Sequence, residues 1–247
     1  MKLKVIGSNS KGNSYLLENK DEALLIECGV NLSKIKEAIN FNISKIAGCI
    51  VTHEHKDHCV AINDVLKAGI NVFATEGTHE ACETTMHHRS GMFGTDFKPI
   101  QIGGFKVMAF DVKHDANEPC GFLINHPDSG NVLFLTDTYY SPYTFRNLNN
   151  IIIEANYSKK IINDKMGKGS LPEFLRNRIF KSHMSLETCI KSLKANDLRA
   201  VNNIVLIHLS DGNSDENYFL NEVKKVTSKN VTVANAGIQI NFNKNPF

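Results

Sequence analysis

Three histidines and an aspartate stand within six residues in the stretch Val51-Thr52-His53-Glu54-His55-Lys56-Asp57-His58. Taken as ligands, His53, His55 and His58 offer nitrogens and Asp57 an oxygen, a set that suits Zn²⁺ and similar borderline metals. In extended chain, residues i and i+2 point the same way, so His53 and His55 can share one ion. Asp57 and His58 are directed elsewhere and are available to a second ion beside it. The elements that must position these groups flank them directly. Ala47–Val51 reads as a buried strand, and Val60–Lys67 has the apolar spacing of a helix. The ligands therefore sit where a strand ends and a helix begins.

The same arrangement recurs along the chain. Apolar strands end in His53, His114, Asp137 and His208, and a further one, Asn150–Ile153, ends at Glu154. Ligand-type residues at the carboxyl ends of strands, with helical stretches between, predict a layered α/β domain with its site at one edge of the sheets. Two mixed sheets between helices fit, with the two halves meeting near residue 100. Strands are expected at Lys2–Ile6, Ser14–Glu18, Ala23–Glu27, Ile70–Ala74, Phe105–Val112, Asn131–Thr136, Asn203–Ile207, Val231–Ala234 and Ile238–Phe242. Gly7–Asn13 reads as a turn and His87–Gly91 as a loop. Helices are expected at Leu32–Asn40 with Ser33 as a cap, at Thr78–Thr85, and through most of Lys159–Lys181. Two more follow, one capped by Ser185 with Glu187 in its first turn, and a last one capped by Ser214.

Composition narrows the class. The 247 residues are 42% apolar, as in ordinary globular proteins, and 28 basic against 26 acidic side chains leave a formal charge of +2. That balance gives no broad basic footprint for long nucleic acid, although a local basic patch is compatible with it. No apolar run is long enough for a secretion signal or a membrane span, and six scattered cysteines without a Cys-x-x-Cys read as reduced thiols. A single domain over residues 1–247, in the cytoplasm and away from membranes, is the expectation.

His53-x-His55-x-Asp57-His58, followed in order by His114, Asp137 and His208, resembles the metallo-β-lactamase superfamily. The resemblance runs over nearly the whole chain and implies an αββα four-layer sandwich. It places His53, His55 and His114 on one metal and Asp57, His58 and His208 on a second, with Asp137 bridging; the expected ions are two Zn²⁺, with Mn²⁺ as the alternative. Such a pair, about 3.5–4 Å apart, lowers the pKa of a shared water toward about 7 and holds the attacking and leaving oxygens of a phosphoryl displacement. Asp57 thereby belongs to the catalytic machinery as well as to the ligands. Glu27, where many members carry Asp, matches a supporting position by type. Ser182-His183-Met184-Ser185 resembles the His-Leu-Ser/Thr motif of the phosphodiesterase branches, which implies that His183 gives a proton to the leaving oxygen.

Gly7–Ser14, Val112–Ala116, Glu154-Ala155-Asn156 and His208-Leu209-Ser210 resemble the YycJ-type branch, which includes 5′–3′ DNA exonucleases, and phage-type relatives that include the anti-Pycsar enzymes. The latter are homodimers that destroy cyclic pyrimidine mononucleotides, so a homodimer acting on a nucleotide is the implied state. Ser8, Ser10 and Asn13 offer hydroxyl and amide groups to a phosphate, Asn156 stands at the rim, and Tyr139 can stack a base. The plain readings are a polar turn, a strand-end cap and packing. Arg176, Arg178 and Lys181 read as a solvated helix face rather than as phosphate contacts. Compact length and near-neutral charge favour a cyclic mononucleotide of the cCMP or cUMP type; the alternatives are a DNA exonuclease of the YycJ type or a tRNase Z-like ribonuclease. A hydrolase of carboxylic substrates and a metal-braced binding protein rank below these, because His183 and the full ligand set would then be idle.

Overall fold

The computed structural model describes residues 1–170 and 172–245. Apolar strands of the first half assemble one seven-stranded sheet and those of the second half another. The first joins β1 (Lys2–Asn9), β2 (Gly12–Glu18), β3 (Ala23–Ile26), β4 (Ile46–Ile50), β5 (Val72–Ala74) and β6 (Ser90–Met92) in chain order. The second joins β7 (Ile100–Ile102), β8 (Phe105–Asp111), β9 (Cys120–His126), β10 (Gly130–Leu135), β11 (Leu148–Glu154), β12 (Asn203–Ile207) and β13 (Asn230–Val233). The last strand, β14 (Gln239–Asn241), crosses back and pairs antiparallel with β1. Each sheet begins with antiparallel pairs and ends with parallel ones, the change falling at β3 and at β10. Parallel neighbours need long crossovers, and most of these carry helices. The first half holds α1 (Leu32–Ala38), α2 (Lys56–Cys59), α3 (Ile62–Lys67) and α4 (Glu76–Ala81). The second holds α5 (Lys159–Gly167), α6 (Glu173–Ser182), α7 (Leu186–Ala195) and α8 (Glu216–Thr227).

Both faces of the sheets are covered. Between them, Tyr15, Leu24, Ile26 and Ile50 of the first meet Phe105, Phe122, Phe134 and Ile152 of the second. The outer face of the first sheet buries Leu25, Cys49 and Val72 with Ile35 of α1 and Val65 of α3. The outer face of the second buries Leu133, Ile151 and Leu206 with Leu193 of α7 and Phe219 of α8. The architecture is the αββα sandwich. Burial on both faces explains why the central strands are nearly continuous apolar runs.

The structure departs from the sequence expectations where short-range signals mislead. Most of Gly7–Asn13 is strand, because β1 and β2 pair out to Asn9 and Gly12 and leave only Ser10 and Lys11 as the turn. Ser90–Met92 is a strand rather than loop, held by parallel pairing to β5. β9 had no clear sequence signal, since its Cys-Gly start and Asn-His end interrupt the apolar run. The helix expected at Val60–Lys67 is α3, beginning at Ile62, and a separate short helix, α2 at Lys56–Cys59, precedes it and carries Asp57 and His58. Ser185 caps α7 by accepting from Thr188 N, but Asp215, not Ser214, caps α8, accepting from Tyr218 N, and Asn31 rather than Ser33 precedes α1. The Lys159–Lys181 stretch divides into α5 and α6; Leu171 between them lies outside the described residues. All six cysteines are free thiols, with the sulfurs of Cys59 and Cys82 3.5 Å apart.

Candidate dinuclear metal centre

The strands deliver their ligands at one sheet edge by turning sharply as they end. Glu27, Asp137 and His208 follow β3, β10 and β12, and all three adopt left-handed backbone, with φ of 63°, 45° and 55°. For residues other than glycine this conformation costs roughly 1–3 kcal/mol each and persists where the surroundings over-determine it. Here it brings a carboxylate or imidazole to the cluster at the sheet edge. Gly29, just beyond β3, lies so close to α2 that a Cβ there would fall 1.7 Å from the Asp57 carbonyl oxygen. Only glycine lets the two segments approach this far.

Two ligand triads result. The donor atoms of His53, His55 and His114 lie within 4.8 Å of one another, and so do those of Asp57, His58 and His208. Asp137 lies between them: its Oδ2 is 4.0 Å from His53 Nε2 and 2.6 Å from His58 Nε2, and its Oδ1 is 3.0 Å from His208 Nδ1. Tautomers are set from outside the cluster. His114 Nδ1 donates to the Ser182 carbonyl at 2.8 Å, which leaves its Nε2 lone pair facing His55 Nδ1 at 3.1 Å. His53 Nδ1 meets Thr52 Oγ1 at 2.9 Å. The inner nitrogens His53 Nε2 and His208 Nε2 are buried without a hydrogen-bond partner among the described residues. Buried polar atoms are almost always satisfied, so these nitrogens mark places for a cation.

Charge agrees with that fit. Burial holds His53 well below its ordinary value and draws His114 down, so both keep a lone pair to offer. For His58 and His208 burial again opposes charge, but the Asp137 carboxylate and its neighbours lift both well above the usual range. Glu27, Asp57, Asp137 and Glu154 thus surround the cluster with carboxylates and call for positive charge, which divalent ions supply in place of protons on these histidines.

His183 stands beside the triads. Its Nδ1 is 2.9 Å from Glu154 Oε1 and 2.8 Å from Asp137 Oδ1, leaving Nε2 for the cleft. Burial disfavours its charged form, yet Glu154 and Asp137 push its pKa up to about 9. Glu154 is fully buried and saturated. Its Oε1 also lies 3.2 Å from His208 Nδ1, and its Oε2 accepts from Met184 N and Thr138 N at 3.0 and 3.3 Å.

Residues 8–150, more than half of the chain, match the metallo-beta-lactamase superfamily. The chain belongs to this superfamily. It is similar to the exodeoxyribonuclease WalJ of Streptococcus pneumoniae serotype 2, with 28% identity, covering 98% of this chain and 92% of that protein. The exodeoxyribonuclease YycJ of Bacillus anthracis is 29% identical over 86% of this chain and 84% of its own length. Among solved structures, the metallo-beta-lactamase fold protein YhfI from Bacillus subtilis superposes with a TM-score of 0.72 at 20% identity, over 97% of this chain and 98% of that one. With the family and the donor set together, the chain is a metal-dependent hydrolase.

The metallo-beta-lactamase fold leaves a cleft of about 440 Å³ over the ligands, lined by Ser10, Asn156, Arg178, His183, Ser210 and Asn213 among others. Of the residues expected at substrate, Ser10 and Asn156 face this cleft, and Asn156 Nδ2 also donates to the His208 carbonyl at 2.8 Å. Ser8 and Asn13 do not line it; both are buried supports. Ser8 Oγ accepts from His208 N at 3.1 Å and from the Tyr15 hydroxyl at 2.9 Å. Asn13 Nδ2 is 3.3 Å from the Asp57 carboxylate and 3.1 Å from His58 Nε2. They are buried because β1 and β2 run on past the expected turn. Tyr139 opens onto a neighbouring hollow. Glu27 holds Thr52 N and approaches His58 Nδ1 at 3.6 Å. Two contributions escaped sequence reasoning. Arg178 reaches the cleft from α6, where a charge run reads as a solvated face. Glu154 stood out by its strand-end position and by the Glu154-Ala155-Asn156 resemblance, neither of which signalled its four contacts.

Proposed function

We propose that the protein is a dinuclear-metal phosphodiesterase that shortens DNA strands from an end. The observation that carries phosphodiester cleavage is His183: its Nδ1 is held by two carboxylates while its other nitrogen faces the cleft beside the ligands. An acid fixed there can protonate a departing oxygen, which thioester or lactam hydrolysis does not call for in the same way. The ions, expected to be Zn²⁺ with Mn²⁺ as alternative, would be held by His53, His55 and His114 and by Asp57, His58 and His208, with Asp137 between, and would supply Lewis-acid stabilisation and a nucleophile at neutral pH. Ser10, Asn156 and Arg178 hold the phosphate, and Glu154 keeps His183 oriented. DNA is put first because the relatives similar over most of the chain are exodeoxyribonucleases. A cyclic mononucleotide is the second reading, favoured by a cleft of about 440 Å³ that accommodates about one nucleotide.

The test is a substrate panel with Zn²⁺ or Mn²⁺: end-labelled single- and double-stranded DNA, RNA, and 3′,5′-cyclic nucleotides. Progressive shortening of DNA is expected. Turnover of cyclic nucleotides with DNA left intact would replace the first reading by the second.

A further inference from the structure

Beside the metal cleft lies a second hollow of about 380 Å³, lined by Tyr139, Tyr140, Pro142, Tyr143, Thr188 and Lys191 among others. The three tyrosines are not equivalent. Tyr143 is built into the wall, its ring edge-on to Phe97 and Phe110 at 6.2 and 5.8 Å and its hydroxyl bonded to Asp111. Tyr139 and Tyr140 are 44% and 55% exposed and make no ring-to-ring contact among the described residues. Packing therefore accounts for Tyr143 and not for the other two.

Their backbone is nonetheless tied to the catalytic apparatus. Tyr139 is two residues beyond Asp137, and its N–H donates to the carbonyl of Lys113, the residue before His114. Thr138 N donates to Glu154, and Thr138 Oγ1 accepts from Lys113 N at 3.1 Å and donates to the Tyr140 carbonyl at 2.7 Å. The hollow is thus pinned to the groups that set the metal site, and α7, from Thr188 through the exposed Lys191 to Ala195, forms its other side. Exposed aromatic faces beside a cation are what a single strand needs. Bases stack on the rings whatever their identity, and the cation meets the backbone.

We infer that Tyr139 and Tyr140 form a base-stacking subsite, with Lys191 beside it, for a nucleotide of single-stranded DNA next to the one whose phosphodiester is cleaved. This rests on the reading of DNA as substrate. A cyclic mononucleotide or a minimal diester that fills only the metal cleft would not reach the hollow.

The experiment compares the metal-loaded wild type with Tyr139→Ala/Tyr140→Ala and with Tyr139→Phe/Tyr140→Phe. It uses a labelled oligothymidylate and the small diester bis(p-nitrophenyl) phosphate. The alanine pair should raise KM for the oligonucleotide roughly tenfold or more and weaken its binding by anisotropy to match. Hydrolysis of the small diester should stay at the wild-type rate, and the phenylalanine pair should behave as wild type. Unchanged oligonucleotide KM and binding, or an equal loss on both substrates, would overturn the subsite. A wild type that binds the oligonucleotide through these tyrosines without shortening it would sink the exonuclease reading and leave the subsite standing. DNA shortening that is indifferent to both pairs would do the reverse.

Discussion

At the scale of single residues, the proposed function assigns metal binding and proton transfer to different groups. His183 touches Asp137 and Glu154 and clusters with them and His208 closely enough to hold an ion, but it stands outside the two triads assigned to the metals. His183→Ala should therefore slow phosphodiester turnover by roughly 10²–10⁴-fold, while metal content by elemental analysis stays near that of the wild type. Loss of metal in that variant would make His183 a ligand instead. Glu154 bonds both His183 and His208, so Glu154→Gln should couple the two effects. Activity should fall about 10–100-fold, with metal affinity falling alongside. A variant that loses activity with unaltered metal affinity would confine Glu154 to orienting His183.

At the scale of elements, the decisive feature is how closely strand ends and helices approach. The turn after β3 presses against α2 at Gly29, where a Cβ would strike the backbone of Asp57 and His58. Gly29→Ala has to push α2 outward and carry two ligands with it. A cost of about 1–3 kcal/mol is expected from such overpacking, read by denaturant unfolding, together with loss of one metal per chain. Retention of both metals would show that α2 yields without moving its ligands. The β1–β2 hairpin is the counterpart on the other side. Because its strands pair out to Asn9 and Gly12, Ser8 and Asn13 are buried as supports for His208 and Asp57, and only its tip at Ser10 reaches the cleft.

At the scale of the molecule, both sheets contribute candidate ligands, so bound metal would tie the two layers together. Ions present at about a hundred times their dissociation constant stabilise a fold by about 2.7 kcal/mol, which in a protein of this length corresponds to roughly 5–10 °C in Tm. Chelation should lower Tm by that order; an unaltered Tm would mean that the layers hold equally well without the ions. A pH-dependent contribution lies far from the site. Glu18 sits 2.7 Å from Lys4 Nζ and 3.3 Å from Lys45 Nζ. Burial raises its pKa, but the two lysines outweigh this and hold it below the ordinary 4.5. A depressed folded pKa stabilises above that ordinary value and ceases to do so as pH falls through the folded one. Glu18→Gln should therefore be less stable than wild type at neutral pH and indistinguishable from it in acid, as followed by urea unfolding across pH.

No helix among the described residues is long and apolar enough to cross a membrane. The chain's own pattern determined the sandwich and singled out the candidate ligands. His53–His58, His114, Asp137 and His208 are legible because each ends an apolar strand, and strand ends at one edge converge whatever the loops do. The cysteines were legible as thiols for a similar reason, since most lie in buried runs. Only the tertiary structure decided which polar neighbours line the cleft. Ser8, Ser10 and Asn13 are equivalent by type and spacing, yet pairing of β1 with β2 buries two and leaves one at the cleft. Arg178, expected on a solvated helix face, lines the cleft, and Tyr139 lies outside it at the adjoining hollow. Exposure depends on how α6 and the loop after β10 lie against distant elements, and local periodicity carries no information about contacts made across a hundred residues.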